Sequence, residues 1–408
     1  MVLYASRRFP RIYRPGPAAL TPRANDPGQG LSFVSLFDEN VRLEPAPRQP
    51  WRRGTVIGVW SLTVAVIVLF VLTFVPSAYV IQQPGPVYNT LGTSPNADGE
   101  QVPLITVPNE QDDTTTGQLD LLTVQVSGNR ERTPSWIELA MAWFDRSRAV
   151  VPIDRIFPAG QTTEQRTSEN AALMSDSQLE ASAAALRQLG YDVPAEIAVG
   201  TIDDQGAAAG LLQQGDVLLS VDGAPASNVD AVRSAVQKAA GAPVTVAYQR
   251  DGADATVQIT PQQTTVNGQQ QYLLGVGLMQ SFDLPVDVKI QLNDVGGPSA
   301  GMMFALGIID KMSPGDLTGG QHIAGTGTID ADGNVGPIGG IRQKLYGALD
   351  AGATYFLAPE SNCNEVVGHV PDGIRVFSTS TLDQSMSVLE TIRDNGDLDA
   401  LATCGSGS

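Results

Sequence analysis

Twenty-two consecutive residues, Gly54 to Val75, carry no charge. At about 1.5 Å per residue, a helix of that length crosses a bilayer core of about 30 Å. The run therefore divides the chain into a short N-terminal part, a span and a long C-terminal part. Arg48, Arg52 and Arg53 precede it, and Pro76 and Tyr79 follow it. The positive-inside rule then puts residues 1–53 in the cytoplasm and residues 76–408 outside. A cleaved signal peptide has an apolar core of about 7–15 residues. The core here is longer and begins far into the chain, so residues 54–75 are expected to be an uncleaved single-pass anchor in the cell membrane.

Charge follows the same division. Residues 1–53 hold nine arginines and four acids, while the remainder holds 16 basic and 39 acidic residues. Nucleic-acid phosphates need a basic surface, so the large part is not expected to bind nucleic acid. The first 50 residues are rich in Pro, Arg and Gly and are expected to form a disordered tail. With 42% hydrophobic and 17% charged residues, the chain can bury ordinary cores, and its length allows two or three domains. Cys363 and Cys404 both fall outside by this topology and are a disulfide candidate. Two unrelated thiols fit the sequence equally well. His322 and His369 lie 47 apart without ligand-like neighbours, so no metal site is expected.

Two separated segments carry chemistry. In Asn293-Asp294-Val295-Gly296-Gly297-Pro298-Ser299-Ala300-Gly301, a serine sits on a glycine turn before an apolar helix, 300–312. Upstream, Val286, Val288, Ile290 and Leu292 alternate with polar residues, as in a half-buried strand. Such a turn exposes a nucleophile and leaves backbone N–H groups for an oxyanion around Gly297, Pro298 and Ser299. The plainer alternative is that Ser299 caps the helix. In Gly336-Pro337-Ile338-Gly339-Gly340-Ile341-Arg342-Gln343-Lys344, a lysine enters a helix over 341–351. Lys344 follows Ile341 by three and precedes Ala348 by four, which places it on the apolar face. A lysine serves as a base only when burial keeps it neutral, and a serine attacks only when a base takes its proton. Here the plainer alternative is a lysine that snorkels from the edge of its face.

Together these segments resemble the proteolytic domain of the Lon family, which uses G-P-S-A-G and P-I-G-G-[IL]-x-x-K segments. The resemblance runs from about Val286 to Pro359. It implies a Ser299–Lys344 dyad, with Thr326 in Ala324-Gly325-Thr326-Gly327-Thr328-Ile329 holding the lysine through its hydroxyl. Many ATP-dependent members have an acid three before the serine. That position is Gly296 here, and Asp294 lies five before. Rings are common among Lon-type domains, so a homo-oligomer is left open.

Residues 191–262 read as a separate unit. Gly215-Asp216-Val217-Leu218-Leu219-Ser220-Val221-Asp222-Gly223 resembles the G-D-x-[IL]-x-x-[IV]-[DN]-G segment of bacterial PDZ domains. A helix at 229–240 and strands at 244–250 and 255–259 follow, the strands joined at Asp251-Gly252. The resemblance implies peptide binding by strand addition, with Glu196, Ile197, Ala198 and Val199 as the pairing strand and a carboxylate loop near 191–195. Residues 76–190, with strands at 80–83 and 119–126 and helices at 136–147 and 170–189, are expected to complete the protease sheet. After 286 the expected order is strand, helix, a hairpin over 323–338, helix 341–351, strands at 354–358 and 375–377, and helix 382–393.

The expected fold class is thus α/β (α+β). A tail (1–53) and a transmembrane helix (54–75) lead into a segment belonging to the protease unit (76–190). A PDZ domain (191–262), a Lon-type domain (263–395) and a C-terminal tail (396–408) follow. The expected function is an ATP-independent, membrane-tethered serine endopeptidase acting on exported or membrane-associated proteins, with PDZ-assisted selection. No G-x-x-x-x-G-K-[ST] phosphate loop occurs, and no cofactor is expected. Two alternatives stand beside it. Gly297-Pro298-Ser299-Ala300-Gly301 also satisfies the G-x-S-x-G of α/β-hydrolases, with His369 downstream as base. A catalytically silent PDZ adaptor is the other.

Overall fold

The structure, a computed structural model, describes residues 53–405 other than Ala97, 109–115, Ala159, 267–268 and Asp294. The disorder expected of the N-terminal tail, and any role for Asp294, fall outside the described residues.

Helix α1 (Arg53–Phe74) is the apolar run, and it is long and apolar enough to cross a membrane by length and composition. The strands used below are β1 (Tyr79–Asn89), β2 (Gln118–Ser127), β3 (Ala149–Pro152), β4 (Ala195–Ile202), β5 (Val217–Val221), β6 (Val244–Arg250), β7 (Ala253–Ile259), β8 (Val276–Phe282), β9 (His322–Gly325), β10 (Tyr355–Pro359) and β11 (Arg375–Thr379). The helices after α1 are α2 (Trp136–Trp143), α3 (Thr163–Gln188), α4 (Val229–Lys238), α5 (Gly301–Met312), α6 (Ile341–Ala351) and α7 (Leu382–Arg393).

One mixed sheet runs β11-β10-β9-β2-β1-β3. Strands from 76–190 therefore share a sheet with strands from beyond 320. Successive side chains on a strand face opposite ways, so the sheet feeds two cores. Leu119, Leu121, Ile323, Leu357 and Phe377 pack with α5 and α7. Leu122, Ala324, Phe356, Ala358 and Val376 pack with α6. Helix α5 is buried from Gly301 to Asp310, which explains its almost unbroken apolar sequence. Helix α3 lies against it and starts with a capping box between Thr162 and Gln165. The start lies upstream of the expected 170 because no apolar periodicity marks its first two turns.

Two strand expectations are corrected. Side chains from Leu284 to Asn293 alternate in burial as the pattern implied, but only Lys289–Ile290 pairs, with Ile105–Thr106. The expected hairpin over 323–338 is shorter. His322–Gly325 instead lies parallel between β2 and β10, and only Thr328–Ile329 pairs with Val335–Gly336. Short antiparallel pairing and parallel insertion into a sheet look alike in sequence, since both show a short apolar run.

The second sheet runs β7-β6-β5-β4-β8 around Ile197, Val199, Leu218, Val221, Val246 and Ile259. Its G-D aspartate, Asp216, is buried and receives both Nε and Nη2 of Arg250 at 2.7 Å. The Arg250 hydrogen bonds hold its carboxyl below the usual carboxylate range. Helix α4 is capped by Asn228. The sheet passes the expected boundary at residue 262, because β8 pairs along the whole of β4.

A cavity of about 540 Å³ lies where β8, α4, α3 and the 328–336 hairpin meet. Glu180 lines it, and its carboxyl is pushed up to about 7, first by burial and then by Asp330, Asp176 and Asp230. A raised carboxyl contributes stability that is complete below its ordinary value near 4.5 and is lost as pH rises through about 7. Glu180→Gln is therefore expected to gain in melting temperature over wild type as pH rises across that window. A difference that stays flat with pH would show that Glu180 does not titrate there.

Candidate active site

Gly297 turns the chain into α5 with φ of 88°, a conformation open to glycine without strain. Its amide donates to Asn170 O of α3 at 2.9 Å, and Ser177 Oγ donates to Pro298 O at 3.0 Å. The turn is thus pinned to α3 at two points. Gly297 N–H, expected among the oxyanion donors, is engaged elsewhere. The N-cap of α5 is Ala300, without any side-chain bond. Ser299 does not cap the helix, and its hydroxyl faces Lys344.

Lys344 is brought in by α6. Gly340 starts that helix with φ of 71°, and a Cβ there would lie 2.8 Å from Val124. The preceding turn is clamped by buried Asn362, which receives Ile338 N–H and donates to Ile338 O, both at 2.9 Å. The side chain of Lys344 is only 2% exposed. Its Nζ lies 2.8 Å from Ser299 Oγ and 2.8 Å from Thr326 Oγ1. Thr326 Oγ1 donates its hydrogen to Ser299 O at 2.9 Å, so it meets the lysine as an acceptor. Burial alone pushes the Lys344 amine down to about 7. Near neutrality the amine is half uncharged. Its lone pair can then take the Ser299 proton while one N–H stays on Thr326.

The pair opens into a cavity of about 400 Å³ lined by Tyr88, Leu121, Met174, Val295, Ser299 and Lys344, among others. A larger one, about 830 Å³, shares Met174, Val295 and Gly296 with it. On β2, residues 118–121 pair with β9, whereas 122–125 continue along the cavity with β1 as their one strand partner among the described residues.

His369 is partly buried, and its Nδ1 sits 3.1 Å from the nearby Val367 O. It has no part in the serine's hydrogen bonding. Cys363 and Cys404 are bridged, with Cα atoms 4.9 Å apart, so the tail is tied down next to Asn362. The peptide-pairing strand expected at Glu196, Ile197, Ala198 and Val199 is corrected. Ala198 pairs with both Val217 and Met279, and Ile197 with Leu218 and Gln280, so β4 has no open edge. The outermost strand on that side is β8. Reading the sequence missed Ser177 and Asn362, isolated polar residues whose partners lie 121 and 24 positions away, and the backbone carbonyl of Asn170, which meets Gly297 from 127 positions away.

Residues 281–392 match the Lon protease (S16) C-terminal proteolytic domain, and residues 161–260 match the PDZ domain. The Lon protease of Geobacter metallireducens is 29% identical over 126 residues, which is 30% of this chain and 15% of that protein. Lon protease 2 of Herpetosiphon aurantiacus is 36% identical over 110 residues, 25% of this chain and 13% of that protein. The chain thus spans a small fraction of the length of these curated relatives. Among solved structures, the PDZ domain of the SdrC-like protein from Listeria monocytogenes is 19% identical, with a TM-score of 0.19. It covers 20% of this chain and 86% of its own. Residues 281–392 are a Lon (S16) C-terminal proteolytic domain, the domain of a serine peptidase, and they are carried in one chain with a PDZ domain.

Proposed function

We propose that this chain is an ATP-independent, membrane-tethered serine endopeptidase working through a Ser299–Lys344 dyad. The observation that carries this reading is the buried amine of Lys344, 2.8 Å from Ser299 Oγ and brought down to about 7. Ser299 attacks the substrate carbonyl as Lys344 takes its proton. Lys344 then returns the proton to the leaving amine, and water repeats the cycle on the acyl-enzyme. Thr326 positions the amine. The N–H groups of Ser299 and Ala300, at the start of α5, face the developing oxyanion. An extended substrate lies beside residues 122–125 of β2, where strand addition supplies backbone hydrogen bonds.

Residues 54–75 anchor the protein, with residues 76–408 outside the cytoplasm. The PDZ unit presents β8, beside α4, as the edge to which an extended segment adds. Substrates are exported or membrane-associated proteins that offer unstructured segments, since no phosphate-loop sequence accompanies the protease domain.

The test is cleavage of an unstructured peptide by the full chain in lipid vesicles, without nucleotide, with new termini read by mass spectrometry. Cleavage that required added ATP would sink the ATP-independent reading. Protease added outside intact cells is expected to digest a C-terminal tag and spare an N-terminal one. The reverse pattern would invert the topology.

A further inference from the structure

Helix α2 is apolar on more faces than its packing uses. Trp136-Ile137-Glu138-Leu139-Ala140-Met141-Ala142-Trp143 holds one charge, Glu138, and that carboxylate is engaged in a capping box with Ser135. Leu139 and Ala142 are buried against Ile81. Ile137, Met141 and Phe144 follow one another at helical spacing on a different face, with Trp143 beside them. Ile137, Met141, Trp143 and Phe144 are 38, 60, 74 and 92% exposed. Single exposed apolar residues are ordinary, but a contiguous aromatic and aliphatic patch marks a surface that something covers.

The route of the chain indicates the cover. Ser77 N–H donates to Thr133 Oγ1 at 3.2 Å, and Ser77 Oγ donates to Pro134 O at 2.8 Å. These bonds tie the turn leading into α2 to residue 77, only three residues past Phe74, where the apolar α1 ends. Three residues reach at most about 11 Å. The patch therefore starts close to the point where the chain leaves the bilayer. Trp side chains favour that water–hydrocarbon boundary. Charge agrees with this placement. Residues 128–157 hold five arginines and four acids, within a region, 54–408, where acids outnumber bases 39 to 16.

We propose that α2 is a membrane-docking helix whose Ile137, Met141, Trp143 and Phe144 enter the headgroup–acyl boundary of the leaflet from which the span emerges. Arg132 and Arg146, both exposed, lie at the phosphate level. The span already holds α2 near the surface, so its high effective concentration lets a small apolar area suffice. Docking keeps the catalytic unit seated against the membrane instead of swinging on its tether. This rests on reading α1 as a span, and is independent of the dyad.

The test uses the full chain, one copy per lipid nanodisc. Both native cysteines are bridged, so Phe144→Cys, Met141→Cys and, as a control on exposed β7, Gln258→Cys each add one labelling site. An environment-sensitive fluorophore at 144 or 141 is expected to be strongly quenched by brominated acyl chains and shielded from iodide. At 258 the reverse is expected. If label 144 is open to iodide while the chain stays in the disc, α2 docking is overturned and the span stands. Shielding that appears only with several copies per vesicle, and not in single-copy discs, would make the patch a contact between copies and overturn the lipid assignment. A chain that leaves the disc would overturn both.

Discussion

Ser299→Ala is expected to lower peptide hydrolysis by on the order of 10⁴-fold or more while leaving the fold intact, because the nucleophile is removed and no other group can replace it. The substitution deletes one oxygen that accepts a hydrogen bond from Lys344. It leaves the α5 cap untouched, since Ala300 caps without a side chain. Thr326 still accepts from the amine, so Lys344 keeps one of its two partners. Melting temperature should therefore shift little, and substrate binding, measured with a slowly cut peptide, should persist. His369→Ala is expected to retain full activity. Substantial hydrolysis by Ser299→Ala would remove the dyad, and a loss of activity in His369→Ala would favour a serine–histidine hydrolase.

Lys344→Met should show an equally deep loss of activity together with a gain in stability. Methionine fills a similar volume without an amine. Wild-type activity is expected to rise with pH through about 7, as the buried amine loses its proton, without a second step from a histidine. The stability sign follows from the same depression. Below about 7 the folded state must bury the ammonium, and its full desolvation cost is present. Between about 7 and 10.5 the unfolded chain binds the proton that the folded chain has released, so wild-type stability climbs with pH. The advantage of Lys344→Met should thus be largest below pH 7, on the order of a few kcal/mol, and shrink towards pH 10.5. Urea melts at several pH values measure it. A constant advantage would mean that the lysine is not neutral in the fold.

Local chemistry was readable where neighbours in sequence are neighbours in space. The helices at 341–351 and 382–393 and strand 244–250 match their expected bounds, because periodicity, Gly352 and the Asp251-Gly252 turn act within a few residues. Ser299 and Lys344 stood out because each breaks its local pattern: a hydroxyl on a glycine turn, and a cation on an apolar face. The strand expected at the sheet edge lies inside the sheet, because β4 and β8 lie about 80 residues apart and only their pairing decides which of them is outermost.

From its sequence alone, the chain determines an apolar segment of membrane-spanning length, a lysine held among apolar residues and a serine on a tight turn, since each follows from side-chain solvation or backbone sterics over a short stretch. Tertiary structure decided the rest. It set the amine 2.8 Å from the hydroxyl, assigned the Thr326 hydrogen to Ser299 O, and used the Gly297 amide to pin the turn to Asn170. It also joined Cys363 to Cys404 beside the clamp on the lysine turn and left β8, not β4, at the sheet edge. All of these depend on sheet order and on which face of α3 meets the serine turn. Those relations arise from packing between distant segments, and no local pattern encodes them.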